Sequence, residues 1–327
     1  MRKHKTLIAF VFLLFSVVSF SQDISDYKVF FAYGNLKEKK EQVIVIRSFR
    51  NTGDACYLAV NPENLKTFII SKSSLEVHPL NFDSLLVYFQ GCAYANGIKD
   101  AWKNSSRNQD AGIAHALPEV KGIILTIDLC PSERPLDKNI FSKLIKSLGK
   151  VEKPVPIAIA ITGKWIKTHQ EDLAWLKQKI ESRQITIDWI NHSYSHPTSR
   201  TLPLTKNFLL EKGTDIHREV LQNEITMLEN GMTPSVFFRF PGLISDKEIF
   251  DKILSFGIIP VGSDAWLAKN QEPRNGSIVL IHGNGNEPLG VKKFIKIINQ
   301  EQYNIKNNNW LLFDLRESIA RKESINN

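Results

Sequence analysis

Ile185-Thr186-Ile187-Asp188-Trp189-Ile190 runs directly into Asn191-His192-Ser193-Tyr194-Ser195-His196-Pro197. The first six residues alternate in the β manner. Pro197 lacks an amide donor and restricts the residue before it, so a long helix cannot pass through this point. His192 and His196 stand four apart, and one turn or a tight loop would present both imidazoles to one cation. Taken alone, such a pair is a weak metal signal, and an ordinary hydrogen-bonded role competes with it. Its position decides more, because a strand giving way to a loop is where α/β barrels carry their catalytic groups.

On both sides of this stretch strands and helices alternate. Gly122–Ile127 and Val155–Ile161 are continuous apolar runs, as expected of strands buried on both faces. Leu136–Leu148, Glu171–Glu181, Thr214–Asn230, Lys247–Phe256 and Val291–Ile298 carry apolar residues at helical spacing, and Gly231 and Gly257 follow two of them. Ser235–Phe238, Ile258–Val261, Ser277–Ile281 and Trp310–Phe313 read as further strands. Repeated β-then-α argues a parallel sheet, open or closed into a barrel. From Tyr27 to about Ala114 the texture differs. Runs such as Gln42–Ile46, Cys56–Val60, Thr67–Ile70 and Leu85–Phe89 read as short strands, followed by a polar linker or surface loop over 97–112. His78 and His115 look isolated.

Arg2, Lys3 and Lys5 precede an apolar run over 7–20, and Ser19-Phe20-Ser21 offers small residues at a cleavage point. That is the pattern of a secretory signal peptide over 1–21, too short for a comfortable span, and no integral membrane span is expected after cleavage. Its removal takes three basic residues and lowers the formal net charge from +8 to +5. The remainder is scattered, with no basic stripe interleaved with aromatics, which argues against nucleic acid as partner. Three cysteines remain, Cys56, Cys92 and Cys130. In an exported chain Cys56–Cys92 is the favoured disulfide, leaving Cys130 a thiol.

The strand ends are the most informative places in the chain. Asp128 comes after Leu125-Thr126-Ile127, and His192 and His196 after the central strand. Arg239-Phe240-Pro241-Gly242 closes the next, Asp264 and Trp266 succeed Val261-Gly262-Ser263, and His282 ends Leu280-Ile281. Carboxyl ends of parallel strands share one face, so these groups converge. Separately Asp128 reads as a helix cap, Arg239 as half of a surface ion pair and His282 as a loop residue. Five such groups in succession are harder to explain that way.

In this order Thr126-Ile127-Asp128-Leu129-Cys130-Pro131, His192-Ser193-Tyr194-Ser195-His196-Pro197, Arg239-Phe240-Pro241-Gly242, Asp264-Ala265-Trp266 and Leu280-Ile281-His282 resemble the five motifs of the polysaccharide deacetylases. These are the NodB-homology enzymes of carbohydrate esterase family 4. Ile157–Gly163 with Trp165 and His169 resembles the family's second strand and the helix after it. The resemblance covers about 118–320. It implies an α/β fold, a distorted (β/α) barrel of the NodB type, preceded here by a small β-rich segment. The expected domains are a signal peptide (1–21), the β-rich segment with its linker (22–115), the barrel (116–320) and a tail (321–327).

The resemblance further implies metal-dependent hydrolysis of N-acetyl or O-acetyl groups on an exported glycan or peptidoglycan. A divalent metal, commonly zinc, would sit on His192 and His196. Asp128 matches the catalytic base, Arg239 the arginine paired with it, His282 the general acid and Asp264 the carboxylate that tunes that histidine. Trp266 would wall the site. Two departures stand out. The family's second aspartate, a metal ligand, is Leu129 here. The third ligand is therefore open among Asp128, a water, Glu133 and, least favoured because it stands at the family's turn glycine, Cys130. Gly242 replaces the tyrosine after Pro241, keeping a backbone N–H for an oxyanion while losing a side-chain wall. Two competing readings are a glycan-binding protein without activity and a metal-independent amide or ester hydrolase using Asp128 and His282.

Overall fold

The computed structural model describes residues 22–38, 41–116 and 120–321; the expected signal peptide and residues 322–327 lie outside them. Five antiparallel strands come first: β1 (Ile24–Leu36), β2 (Gln42–Asn51), β3 (Asp54–Val60), β4 (Thr67–Ser71) and β5 (Leu75–Pro79). They lie in the order β4-β3-β2-β1-β5. A flat sheet would hold the edge strands β4 and β5 roughly 19 Å apart at ~4.8 Å per strand. Yet only a short turn, Lys72–Ser74, joins them, and four steps of ~3.8 Å reach about 15 Å at most. The sheet must curl. Ala32, Val43, Val45, Tyr57, Ala59 and Leu75 form a core of the sheet's own, while Ile44, Ile46, Phe49, Leu58 and Val60 share a core with the rest of the molecule.

Two helices come next, α1 (Phe82–Tyr88) and α2 (Ala93–Trp102). The run Leu85–Phe89, expected from its composition to be a strand, is therefore helical. Asn81 caps it, its Oδ1 accepting Ser84 N–H, and the run lacks the two-residue alternation a strand would need. The helix α2 also takes in 97–102, the first part of the segment expected to be a linker or surface loop. The expected Cys56–Cys92 disulfide does not form, and Cys56, Cys92 and Cys130 are all in the reduced state.

The remaining strands are β6 (Gly122–Leu129), β7 (Val155–Ile161), β8 (Ile185–Asn191), β9 (Phe237–Phe238), β10 (Ile259–Pro260), β11 (Ala265–Trp266), β12 (Ile278–His282) and β13 (Leu311–Leu312). Their pairings are all parallel in the order β10-β9-β8-β7-β6-β12-β11, with β13 beside β6. The helices are α3 (Lys138–Leu148), α4 (Gly163–Thr168), α5 (Gln170–Glu181), α6 (Ile216–Glu229), α7 (Lys247–Leu254), α8 (Pro288–Gln300), α9 (Gln302–Lys306) and α10 (Leu315–Arg321). This is the expected distorted (β/α) barrel with a β-rich segment before it. Ile123, Leu125, Ile127 and Leu129 pack with Ile140, Phe141 and Leu144 of α3 and Phe294 of α8, so one face of β6 belongs wholly to the helix layer.

Residues 111–116, which begin at the end of the expected 97–112 linker or surface loop, are sewn into the seam between β10 and β12. Ile113 N–H donates to Pro260 O and Gly262 N–H to Ile113 O; Ile278 N–H donates to Ala114 O and Ala116 N–H to Gly276 O. Gly112, at φ 98°, is needed there, because a Cβ would run into the Pro260 carbonyl. The N-terminal sheet is fastened to α6 by a buried pair. Arg47 donates from Nε and Nη2 to the two Glu224 oxygens (2.7 and 2.9 Å), and Tyr27 Oη donates to Glu224 Oε2 at 2.9 Å.

Two carboxyls away from the strand ends set a pH dependence. Burial lifts Glu152 to about 7 against the lowering effect of the Leu312 N–H it accepts. Burial and the neighbouring Asp314 raise Asp188 despite Arg316 at 2.7 Å. A carboxyl whose pKa rises on folding holds its proton more tightly in the folded state, so its contribution is greatest in acid and fades as pH rises toward the folded value. The urea midpoint should therefore fall between about pH 4.5 and 7.5, and Glu152→Gln should flatten that fall. An identical slope in the variant would contradict this assignment.

Candidate metal centre

Side chains alternate along a strand. On β6 the odd residues through Leu129 face the helices, and Thr126 and Asp128 face the other way. Arg239, at the end of β9 and fully buried, meets both. Its Nη1 donates to Thr126 Oγ1 (2.8 Å) and Asp128 Oδ1 (3.2 Å), and its Nη2 to Gly262 O at 2.9 Å. Leu129 is thus a core residue, and the next side chain to leave the helix layer is Cys130.

The Cys130 turn is held from both sides. Asn284 Nδ2 donates to Cys130 O at 2.7 Å, Thr162 Oγ1 donates to Leu129 O at 3.1 Å, and Gly283 N–H donates to Asp128 O. Cys130 Sγ lies 3.6 Å from His192 Nε2. The ligating atoms of Cys130, His192 and His196 all lie within 4.8 Å of one another, and all three residues are buried.

The imidazoles are prepared for ligation. His192 Nδ1 lies 2.9 Å from Arg239 O. A carbonyl can only accept, so the proton sits on Nδ1 and the Nε2 lone pair faces Cys130. Burial holds His192 below its usual pKa, outweighing Asp128, which keeps it neutral. His196 Nε2 is buried with no hydrogen-bond partner. An orphaned ring nitrogen between an imidazole and a thiol is the kind of atom a cation satisfies. Burial would raise the Cys130 thiol, but His196 and His282 beside it bring it down to about 7.

The histidine loop is itself over-determined. Ser193 (φ 67°) and His196 (φ 48°) adopt left-handed backbone, which costs non-glycine residues energy and persists only under external restraint. The restraint comes from α6. Glu219 accepts Ser195 N–H (2.8 Å) and Ser195 Oγ–H (2.5 Å). Asn223 Nδ2 donates to Asn191 Oδ1, which in turn accepts Ser193 N–H.

The remaining expected residues divide. His282 ends β12 beside Asp128 of β6, its register partner. Its carboxylate is Glu287, not the expected Asp264: Nδ1 lies 2.8 Å from Glu287 Oε2, at an angle short of a hydrogen bond. Burial alone would lower His282, yet Cys130, Glu287 and Asp128 hold its pKa well above the ordinary value. Asp264 instead takes His115 Nδ1 (2.7 Å) and Arg274 Nε (3.4 Å), so His115 is not isolated. Sequence reading missed Glu287 because nothing in its spacing marks it; it reaches His282 through the loop after β12. Trp266 donates from Nε1 to Glu287 Oε2 at 2.7 Å, and Lys269 Nζ lies 3.6 Å from its ring centre. That ring face is occupied by an ammonium group. Glu133 is exposed and stands outside the cluster. Pro241 and Gly242 form a tight turn (Gly242 φ 61°) whose Leu243 and Ile244 N–H groups close onto Phe240 and Pro241. The N–H of Gly242 stays outside that ladder.

Comparison with known proteins gives two kinds of likeness. A family model described as the RP012 protein N-terminal domain matches residues 25–95. Among solved structures, a family 4 carbohydrate esterase from Bacillus anthracis is 19% identical, over 69% of this chain and 91% of its own, with a TM-score of 0.47. PdaA of Bacillus subtilis, also described as a family 4 carbohydrate esterase, is 16% identical over 67% and 95%, again at 0.47. A pseudoenzyme of the same family from Bacillus anthracis is 18% identical over 64% and 69%, at 0.42. Each is a likeness in the course of the backbone at low identity.

Proposed function

We propose that this chain belongs to the polysaccharide deacetylases and hydrolyses acetyl groups on an exported glycan or peptidoglycan, with a divalent cation held by Cys130, His192 and His196. The observation that carries the reading is the unpartnered, buried Nε2 of His196 facing a neutral His192 and a Cys130 thiol. Two imidazoles and a thiolate are a good zinc donor set. A cation bound there would bring the pKa of its water toward ~7 and polarise the acetyl carbonyl.

The chain's own residues supply the proton steps. Asp128 keeps Oδ2 free of Arg239, 3.7 Å from His192 Nε2, where it can take a proton from an attacking water. Arg239 fixes the other oxygen and so aims the carboxylate. As the water oxygen joins the acetyl carbon, the carbonyl oxygen gains charge, and the Gly242 N–H is the available donor. Burial opposes the charged form of His282, but Glu287 Oε2 at 2.8 Å and the nearby Asp128 favour it, so His282 is the residue placed to enter protonated. It gives that proton to the sugar nitrogen as the carbon–nitrogen bond breaks, leaving acetate and a free amine. Purified protein should release acetate from N-acetylglucosamine oligomers or peptidoglycan, lose the activity on chelation and regain it with zinc. Asp128→Asn should be slower by ~10²–10⁴. Equal acetate release by wild type and Asp128→Asn would overturn the assignment of the base.

A further inference from the structure

Position 242 carries no side chain, yet the space beside it is filled. The segment between His196 and α6 folds back over the strand ends and places Phe208 there. Asn207, almost fully buried, organises this segment: its Oδ1 accepts the N–H groups of Ser199 and Phe208, and its Nδ2 donates to Ser199 O and Leu202 O. Leu209 anchors it in the core. Phe208 itself sits at φ 57°, a left-handed conformation unfavourable for an aromatic residue. Two contacts account for the restraint. A Cβ built on Gly242 would collide with the Phe208 ring, and the ring lies edge-on to His196 with centroids 5.8 Å apart.

Phe208 therefore borders both the imidazole at one side of the reacting space and the turn that offers the N–H at the other. We infer that Phe208 substitutes for the side chain missing at 242 and forms the wall that limits the acyl group to about the size of acetyl. This rests on the proposed deacetylase reading and adds to it the residue that sets acyl length. An acyl chain with its carbonyl oxygen on the Gly242 N–H and its carbon beside His196 has the ring as its next neighbour. A longer chain would have to displace a side chain whose backbone is already held by Asn207.

The test compares N-acetyl and N-butyryl chitooligosaccharides as substrates of wild type, Phe208→Ala and Phe208→Leu. The ratio of kcat/KM for butyryl over acetyl should rise at least ~10-fold in Phe208→Ala, the scale on which hydrophobic pockets discriminate added methylenes. It should rise less in Phe208→Leu, which keeps part of the wall should the alanine variant fail to fold. A second readout needs no activity. Gly242→Ala should lower Tm more in wild type than in the Phe208→Ala background, because the collision with the ring is then absent. A wild type that hydrolyses the acetyl substrate, with the butyryl ratio unmoved in both variants, overturns this inference alone. A wild type that hydrolyses neither overturns the deacetylase reading with it.

Discussion

Arg47→Met should lower the unfolding free energy by about 3–5 kcal/mol, the cost of leaving one member of a buried ion pair without its partner. Arg47 and Glu224 are almost wholly excluded from solvent, at 0% and 1% side-chain exposure. Arg47 also donates from Nη1 to Ile46 O and Phe256 O, so its loss leaves carbonyls unsatisfied besides Glu224. The pair joins β2 to α6, and α6 also carries Glu219 and Asn223, which hold the histidine loop. Loosening the N-terminal sheet should therefore reach the proposed cation site. Urea unfolding gives the number. The double variant Arg47→Met/Glu224→Met, which removes both charges, should recover most of the loss, because replacing a buried pair by apolar groups is often close to neutral. A loss below about 1 kcal/mol in Arg47→Met would mean that water reaches the pair and that it does not dock the sheet.

The second large effect is at Cys130. Serine keeps the shape of the side chain but is a far poorer ligand for a soft or borderline cation than a thiolate. Metal affinity in Cys130→Ser should fall by more than the ~10–100-fold that loss of an outer partner costs. Cys130→Asp should retain more affinity, since a carboxylate is an ordinary zinc ligand.

Much of the barrel was legible in the chain because buried parallel strands are continuous apolar runs and the intervening helices have a 3.6-residue period. The convergence of Asp128, His192, His196, Arg239 and His282 came from placing each at a strand end. Departures arose where local pattern gave no warning. Leu85–Phe89 is apolar throughout, and only the Asn81 cap marks it as a helix start. Residues 111–116, at the end of the expected linker, gave no strand signal, because a segment that fills a seam by backbone hydrogen bonds needs no signature of its own. Glu287 takes the partner expected for Asp264, because loop paths after β10 and β12 decide which carboxylate reaches His282. Phe208 carries no motif at all. Cys130 was more accessible: Thr126, Asp128 and Cys130 share one parity of β6, and Leu125, Ile127 and Leu129 the other. Counting by twos puts the thiol on the side of the base and the leucine in the core.

A cation on Cys130, His192 and His196 is tested most directly by cobalt substitution. Cobalt(II) titrated into wild-type protein should produce the near-ultraviolet thiolate-to-cobalt charge-transfer band together with visible bands of a low-coordinate centre. Cys130→Asp should keep visible bands and lose the charge-transfer band, and His192→Ala/His196→Ala should lose both. A wild type that binds no cobalt, or a Cys130→Asp spectrum that still carries the charge-transfer band, would contradict the assignment.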